Sequence, residues 1–292
     1  MSYHSLEEIE IFCEKEKVPF WKAVQIADME ERGASQEESW GMMQKMWQAM
    51  KTAGDSYDPE RVSHSGLSGG MGGQMTAYLE KGEPICGDFM ARVIAQALEM
   101  AESNACMQRI VAAPTAGACG VLPAVLLTVY KVKGMQEEKV VEAMYTAAGI
   151  GQVIASRAFI AGAAGGCQAE VGTASAMAAG ALVYLYGGGC RQITHAAAMA
   201  LKNLLGLVCD PVAGLVEVPC VKRNVIGAVN AVSSADMALA GITSRIPPDQ
   251  VIDAMKEVGE SMHVSLKETG EGGVANTPAA KKISLDHISS MP

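Results

Sequence analysis

Helical stretches rich in small residues, separated by glycine-rich breaks, occupy most of the chain. Aromatic residues make up only 5% of it, against 31 glycines and 19 methionines, so we expect helices that pack with closely spaced backbones. The alternation of apolar and polar residues that is typical of a strand appears only briefly, at residues 215–218, and no βαβ unit is indicated. The sequence therefore predicts an all-α, multi-helix fold, with body helices over residues 88–104, 119–133, 137–158, 174–186, 191–207, 224–243 and 248–262.

Composition and turn signals divide the 292 residues into three parts. Residues 1–55 predict an N-terminal helical arm, in which Ser35 caps the last helix. The polar, turn-rich stretch 54–62 separates this arm from a main helical domain over residues 56–280. Apolar content then thins, so residues 281–292 are predicted to form an irregular C-terminal tail.

Charge and hydropathy exclude several classes of partner. The net charge of −9 argues against nucleic acid or an anionic membrane surface. The first residues show neither the basic region nor the apolar stretch of a signal peptide, so we expect a cytoplasmic protein with reduced cysteines. Residues 171–190 lack charge and are long enough to span a membrane, but their small side chains and the glycines at 187–189 favour a buried helix. No membrane partner is therefore expected.

Two glycine-rich loops are candidate anion sites. In the first, SHSGLSGG at residues 63–70, successive backbone N–H groups can face a carboxylate or phosphate, although a flexible connector explains the same composition equally well. The second loop, at residues 115–118, lies just before a helix start, where free N–H groups also favour an anion; a plain N-cap is the alternative. The candidate ligand-binding residues are Ser65, Ser68, Gly69, Gly70, Thr115, Gly117 and Ala118.

Three of the eight cysteines lie at predicted element ends beside glycine or proline. These are Cys167, Cys209 and Cys220, and their neighbours let the backbone bend toward a shared point. Three thiolates suit a [4Fe–4S] cluster with one iron left open, whereas a structural zinc site is typically built on close C-x₂-C pairs, which the chain lacks. The other cysteines are expected to be small buried residues or weaker ligand candidates: Cys13, Cys86, Cys106, Cys119 and Cys190.

At these residues the sequence resembles a known family, the iron–sulfur-dependent L-serine dehydratases. The resemblance covers roughly residues 60–280. The chain is similar to the separate α subunit of the two-chain enzymes. It is carried by the segments APTAGACGVLPAVL (113–126), GGCQAEVGTASAMAAG (165–180), LGLVCDPVAGLVEVPCVKRN (205–224), ADMALAGITSRIP (235–247) and ETGEGGVANTP (268–278).

The resemblance implies a specific chemistry and a partner. It implies a helical catalytic domain that holds a buried [4Fe–4S] cluster through Cys167, Cys209 and Cys220. It implies deamination of L-serine to pyruvate and ammonia without pyridoxal phosphate, the open iron acting as a Lewis acid on the serine hydroxyl. It further implies a β subunit and a hetero- or homo-oligomer.

The sequence constrains less well which residues contact the substrate and which group removes its α-proton. Asn224, close after Cys220, is a candidate for binding the substrate carboxylate, and Glu170 for positioning the amino group. His64 is the candidate base within this chain, since imidazole titrates near neutrality, but the base can equally lie on the β subunit. Two alternatives stay open: a related cluster-dependent lyase acting on L-cysteine, L-threonine or another β-substituted acid, and a non-catalytic helical scaffold around a structural metal.

Overall fold

The computed structural model describes residues 3–290 of the chain, with side chains up to residue 286. In this part the only extended pairing is two isolated bridges, Val62 with Gly69 and Cys209 with Lys267, so the all-α prediction is confirmed. The described residues form thirteen helices: α1 (Leu6–Glu16), α2 (Phe20–Arg32), α3 (Gln36–Asp55), α4 (Met71–Lys81), α5 (Gly87–Ala105), α6 (Val121–Lys133), α7 (Glu137–Arg157), α8 (Gly162–Gly165), α9 (Thr173–Leu185), α10 (Cys190–Lys202), α11 (Cys220–Leu239), α12 (Pro248–Ser261) and α13 (Pro278–Ser290).

Helix α9 is the centre of the bundle and shows why small residues dominate the sequence. Every residue from 173 to 183 is buried, and α6, α7, α10 and α11 all pack against it. Small side chains on all sides let these four neighbours approach closely. The uncharged stretch 171–190 is not one continuous α-helix. It begins within a π-helical turn, Gln168–Gly172, continues as α9 and ends that helix at Tyr186, which precedes three glycines.

Membrane-like composition occurs elsewhere in the described chain. Residues 116–133, which comprise α6 and the turn before it, are long and apolar enough to cross a membrane by length and composition. Of this stretch, 67% is buried inside the protein, as in the core helix of a bundle.

The N-terminal arm shares its core with the main domain. Helix α3 ends at Asp55, where the sequence placed the end of the arm. Its residues Trp47 and Met50 are fully buried in one hydrophobic core that continues into α12. The α12 side chain of Asp249 also accepts hydrogen bonds from Leu6 N (2.8 Å) and Glu7 N (3.1 Å), which caps the start of α1. The arm is therefore held in place by both apolar and polar contacts.

The C-terminal prediction is wrong for residues 281–290, which continue helix α13 rather than forming an irregular tail. The local reason is the Thr277–Pro278 pair: the Thr277 hydroxyl accepts a hydrogen bond from Ala280 N (3.3 Å), and proline suits the first helical position. Residues 291 and 292 of the predicted tail lie outside the described residues.

We expect opposite effects of alanine at two helical glycines. A Cβ at Gly149 of α7 would lie 2.4 Å from Val24 Cγ2, a stiff β-branched side chain in the core, whereas a Cβ at Gly41 of α3 meets nothing within 4 Å. Gly149→Ala should therefore lower the free energy of unfolding by about 1–3 kcal/mol. Gly41→Ala should raise it by about 0.5–1 kcal/mol, because alanine restricts the unfolded chain and favours helix. Urea denaturation of both variants checks this, and equal effects would contradict the packing described here.

Candidate functional site

A cavity of about 180 Å³ brings the three predicted cysteines together. Cys167 follows α8, Cys209 lies in the segment after α10, and Cys220 is the first residue of α11. Segments that are far apart in sequence thus meet at the ends of helices. The residues lining the cavity are Ala116, Gly117, Cys167, Glu170, Cys209, Pro211, Val216, Cys220 and Glu268.

The three thiols are strongly desolvated. Cys167 and Cys209 are each 4% exposed, and Cys220 is half-buried. Burial raises the pKa of each thiol to about 12, while the nearby Arg223 guanidinium acts in the opposite direction on all three. Each thiol is therefore protonated at neutral pH unless a cation replaces its proton.

Backbone contacts hold the segments of Cys167 and Cys209 together. Gln168 N donates to Leu207 O (2.9 Å), and Gly206 N donates to the Gln168 side chain (2.9 Å). Gly166 has a φ of +75°, and a Cβ there would lie 2.8 Å from Leu207 O, so only glycine fits this crossing. The glycine before Cys167 is thus required by the close approach of the second cysteine segment.

A buried carboxylate connects Cys209 to Cys220 and to the Gly-rich segment near the C-terminus. Asp210 forms an ion pair with Arg223 of α11, with 2.7 Å between Oδ1 and Nη1, and its Oδ2 accepts from Val274 N (2.6 Å). A Cβ at Gly273 would lie only 2.1 Å from Asp210 Oδ2. Arg223 also donates to Val208 O (2.7 Å), so both sides of Cys209 are anchored.

Glu170 places a carboxylate inside the cavity. Thr115 Oγ1 donates to its Oε1 (2.7 Å), so Thr115 contacts Glu170 rather than lining the cavity itself. Burial raises the pKa of Glu170, and the charge of Glu268 adds to the effect. Cβ atoms at Gly117 and Gly162 would lie 3.1 Å and 3.0 Å from its Oε2, so glycine at both positions leaves room for the carboxylate.

Asn224 holds the loop at residues 115–118 against the start of α11. Its Oδ1 accepts from Gly120 N (2.8 Å), and its Nδ2 donates to Gly117 O (2.9 Å) and Cys220 O (3.0 Å). Both amide protons are thus used by the backbone, which leaves no donor for a substrate carboxylate. Asn224 is a positioning residue in this structure, and the neighbouring Ala118 is buried outside the cavity lining.

The SHSGLSGG loop lies outside the cavity and binds the protein's own carboxylates. Ser63 and Ser65 each donate to the buried side chain of Glu217 at 2.7 Å. At the other end of the loop, Gly70 precedes α4, whose first N–H groups are bound by Glu102. The groups expected to bind a ligand anion are therefore largely engaged, and Gly69, with a φ of +151°, passes too close to Arg61 and Val62 for any Cβ.

Two further residues of this loop do not reach the cavity lining. Ser68 is 3% exposed and its hydroxyl has no hydrogen-bond partner among the described residues. The His64 side chain is exposed to solvent. Neither residue lines the cavity that holds the three cysteines.

Sequence reasoning missed Glu268, which joins the site through backbone pairing. Cys209 N donates to Leu266 O (2.8 Å), and Glu268 N donates to Cys209 O (2.7 Å). This pairing brings the Glu268 side chain to the cavity. The ETGEGG stretch that begins at Glu268 is the feature of the sequence that indicates this contact, since consecutive glycines mark a close approach of two backbone segments.

The described residues contain no group of three or more His, Cys, Asp or Glu side chains spaced to hold one metal ion. Around a tetrahedral zinc ion, thiolate sulfurs bound at about 2.3 Å lie only about 3.8 Å from one another. Cys167, Cys209 and Cys220 line one cavity but are not among such groups.

Comparison with known proteins gives one consistent family. The family model described as "Serine dehydratase alpha chain" matches residues 15–275. A protein of Bacillus subtilis named "Probable L-serine dehydratase, alpha chain" is 51% identical over 222 residues, which are 76% of this chain and 74% of the relative. A protein of Latilactobacillus sakei with the same name is 55% identical over 191 residues (65% and 91%). The "L-serine dehydratase, alpha chain" of Peptoniphilus asaccharolyticus is 50% identical over 211 residues (72% of each).

Removing the Glu217 carboxylate should release the SHSGLSGG loop. In Glu217→Ala, two serine hydroxyls lose their acceptor, which should lower the free energy of unfolding by about 1–3 kcal/mol. Hydrogen–deuterium exchange of residues 63–70 should become faster, while the exposed Glu83→Ala control should leave it unchanged. Unaltered protection of the loop in Glu217→Ala would show that these bonds do not hold it.

Proposed function

Because the chain belongs to the serine dehydratase alpha chain family, we propose that it is the α subunit of an enzyme that converts L-serine to pyruvate and ammonia. The three relatives compared above are named as alpha chains of L-serine dehydratases, those of two organisms as probable ones. The observation that carries the proposal is the convergence of Cys167, Cys209 and Cys220 on one cavity that also contains the Glu170 carboxylate. A merely structural metal site would not require an acidic side chain beside the thiols.

We infer that the three cysteines hold a [4Fe–4S] cluster. The donor set suits it: three sulfurs, each on a different segment, surround a cavity in which the remaining lining side chains are two carboxylates and apolar groups. In such a cluster each thiolate binds a different iron, so the sulfurs lie farther apart than around a single ion. When bound, the cluster would supply a Lewis acid that helps the serine hydroxyl to leave.

The protein's own residues prepare this site for a charged cofactor and a zwitterionic substrate. Arg223 lies near all three thiols and would offset the negative charge that they gain on losing their protons. Asp210 fixes the position of Arg223. Glu170, held by Thr115, presents a carboxylate that can bind the ammonium group of L-serine.

We propose that the group that removes the α-proton belongs to a β subunit. Among the side chains that the structure describes, no histidine or lysine lines the cavity, and the two carboxylates there lie beside the thiols. The alternative within this chain, His64, would need the SHSGLSGG loop to leave its contacts with Glu217. The names of the relatives as alpha chains support a two-chain enzyme. We propose a cytoplasmic location, because the eight free cysteines are typical of a reducing compartment.

Replacement of each proposed ligand should abolish iron binding. We expect Cys167→Ala, Cys209→Ala and Cys220→Ala, each purified anaerobically with a candidate β chain, to lose cluster iron, sulfide and pyruvate formation from L-serine. The matched control is Cys119→Ala: Cys119 is fully buried, but its thiol donates to Met100 O outside the cavity lining. This control should keep both iron and activity. Wild-type iron content in Cys209→Ala would refute the ligand assignment.

Glu170→Gln tests substrate binding separately from the cofactor. Glutamine keeps the size of the side chain but removes the charge that would face the substrate ammonium group, so kcat/KM for L-serine should fall on the order of 100-fold. Iron content should not change, and the exposed Glu83→Gln variant should behave as wild type. Parallel assays with L-threonine and L-cysteine show which substrate the site prefers. An unchanged kcat/KM in Glu170→Gln would remove this residue from the mechanism.

A further inference from the structure

A second cavity, of about 340 Å³, lies where α4 and α6 pack against α5. We call it the α5 cleft; residues of all three helices line it, among them Thr76, Gln96, Glu99 and Thr128. Small-molecule sites in proteins usually have volumes of about 300–1,000 Å³, so the cleft is large enough for a small ligand. The residues described for its lining are all different from those that line the cavity of the three cysteines.

Contacts at both ends of α5 show that α5 and α6 run antiparallel. Cys119, two residues before α6, donates its thiol proton to Met100 O (3.7 Å) near the end of α5. At the other end, the Nζ atom of Lys133, the last residue of α6, lies 5.7 Å from the ring centre of Phe89 near the start of α5. Residue numbers therefore rise along one helix as they fall along the other.

This register places two pairs of polar residues opposite each other within the cleft. Gln96 of α5 lies opposite Thr128 of α6, and about one turn away Arg92 lies opposite Lys131. The first pair is buried, since Gln96 is 7% exposed and Thr128 is 3% exposed. The side chains of Arg92 and Lys131 are about half exposed. The cleft therefore has a buried polar end and a cationic rim.

The buried end of the cleft offers hydrogen-bond acceptors. The Glu99 carboxylate accepts from Gln96 Nε2 (2.9 Å) and from Thr76 Oγ1 (3.3 Å), and a carboxylate can accept further bonds. The Gln96 Oε1 atom and the Thr128 hydroxyl have no hydrogen-bond partner among the described residues, although both residues are buried and line the cleft. A primary ammonium group has three donors, which a carboxylate, an amide oxygen and a hydroxyl oxygen can accept.

The rim of the cleft keeps unused donors for an anion. Arg92 donates to Asp88 through Nε (2.8 Å) and Nη2 (3.1 Å), and Lys131 donates to Asp55 (2.9 Å). A guanidinium group has five donors and an ammonium group has three, so Arg92 Nη1 and two protons of Lys131 remain for a ligand. Charged donors of this kind form their strongest hydrogen bonds with carboxylate or phosphate oxygens.

We propose that the α5 cleft binds a free α-amino acid with an aliphatic side chain. The ammonium group would face the acceptors of the buried end, and the carboxylate would face the cationic rim. The two ends are one helical turn apart, about 5–6 Å, and the side chains of the rim are long enough to reach a carboxylate within that span. Leu79, Ala95 and Val132 supply apolar lining for the ligand's side chain. An amine or a carboxylic acid alone would leave one end of the cleft without a partner.

Saturation-transfer NMR with the full chain tests the ligand class. L-leucine and L-valine are titrated to millimolar concentration, together with the amine and the acid that each lack one charged group. These matched probes are isopentylamine and isocaproate for L-leucine, and isobutylamine and isovalerate for L-valine. We expect at least one of the two amino acids to bind on the order of tenfold more tightly than either of its matched probes.

Variants test whether the amino acid lies in the α5 cleft. Glu99→Gln and Lys131→Ala should each weaken binding on the order of tenfold, since each removes one of the two opposite charges. Lys131→Ala removes a side chain at the rim, so its effect does not depend on changing the protein core. The exposed Lys45→Ala variant should bind as wild type, and so should Glu170→Gln, whose carboxylate lies in the cysteine cavity.

Three results would overturn the proposal. The first is that neither amino acid binds to the wild-type chain. The second is that the matched amine or acid binds as tightly as its amino acid, because recognition would then not use both ends of the cleft. The third is that binding is lost in Glu170→Gln but kept in Glu99→Gln, which would place the amino acid in the cysteine cavity. None of these results depends on whether the chain has dehydratase activity.

Discussion

The buried carboxylate of Asp210 connects the parts of the candidate site. It is 1% exposed, so its charge needs compensation, which the Arg223 guanidinium and the Val274 N–H provide. Removing one partner of such a buried pair typically costs about 3–5 kcal/mol, because the other charge is left without compensation. Through this one side chain, the segment that carries Cys209 is attached both to α11, which begins with Cys220, and to the Gly-rich segment near the C-terminus.

The helical bundle supplies the rigid frame around these connections. Small side chains on α9 let four helices pack against it, and the cysteines then lie at helix ends and in the turns between helices. Side chains at such positions are less constrained by helix packing than those of the core, so they can converge from distant segments. Glycine is found at positions 117 and 162, beside Glu170, where a Cβ would crowd the carboxylate.

Local sequence signals predicted the parts that depend on local interactions. The proline start of α12 and the small residues of α9 indicated helices. Glycine or proline beside three cysteines indicated the ends of elements that meet at the cavity. Helix α4 was missed because its N-terminus depends on Glu102, a residue 30 positions or more away along the chain. The loop hydroxyls expected to bind a ligand instead bind Glu217, and only the fold reveals that contact.

The central claim is that Cys167, Cys209 and Cys220 surround a shared iron–sulfur cofactor. Diffraction from crystals of anaerobically reconstituted protein, measured on both sides of the iron absorption edge, tests it most directly. We predict one compact anomalous peak inside the cavity, in contact with the sulfurs of Cys167, Cys209 and Cys220. Iron bound at other cysteines, or a cavity without an iron signal in protein that contains iron, would contradict it.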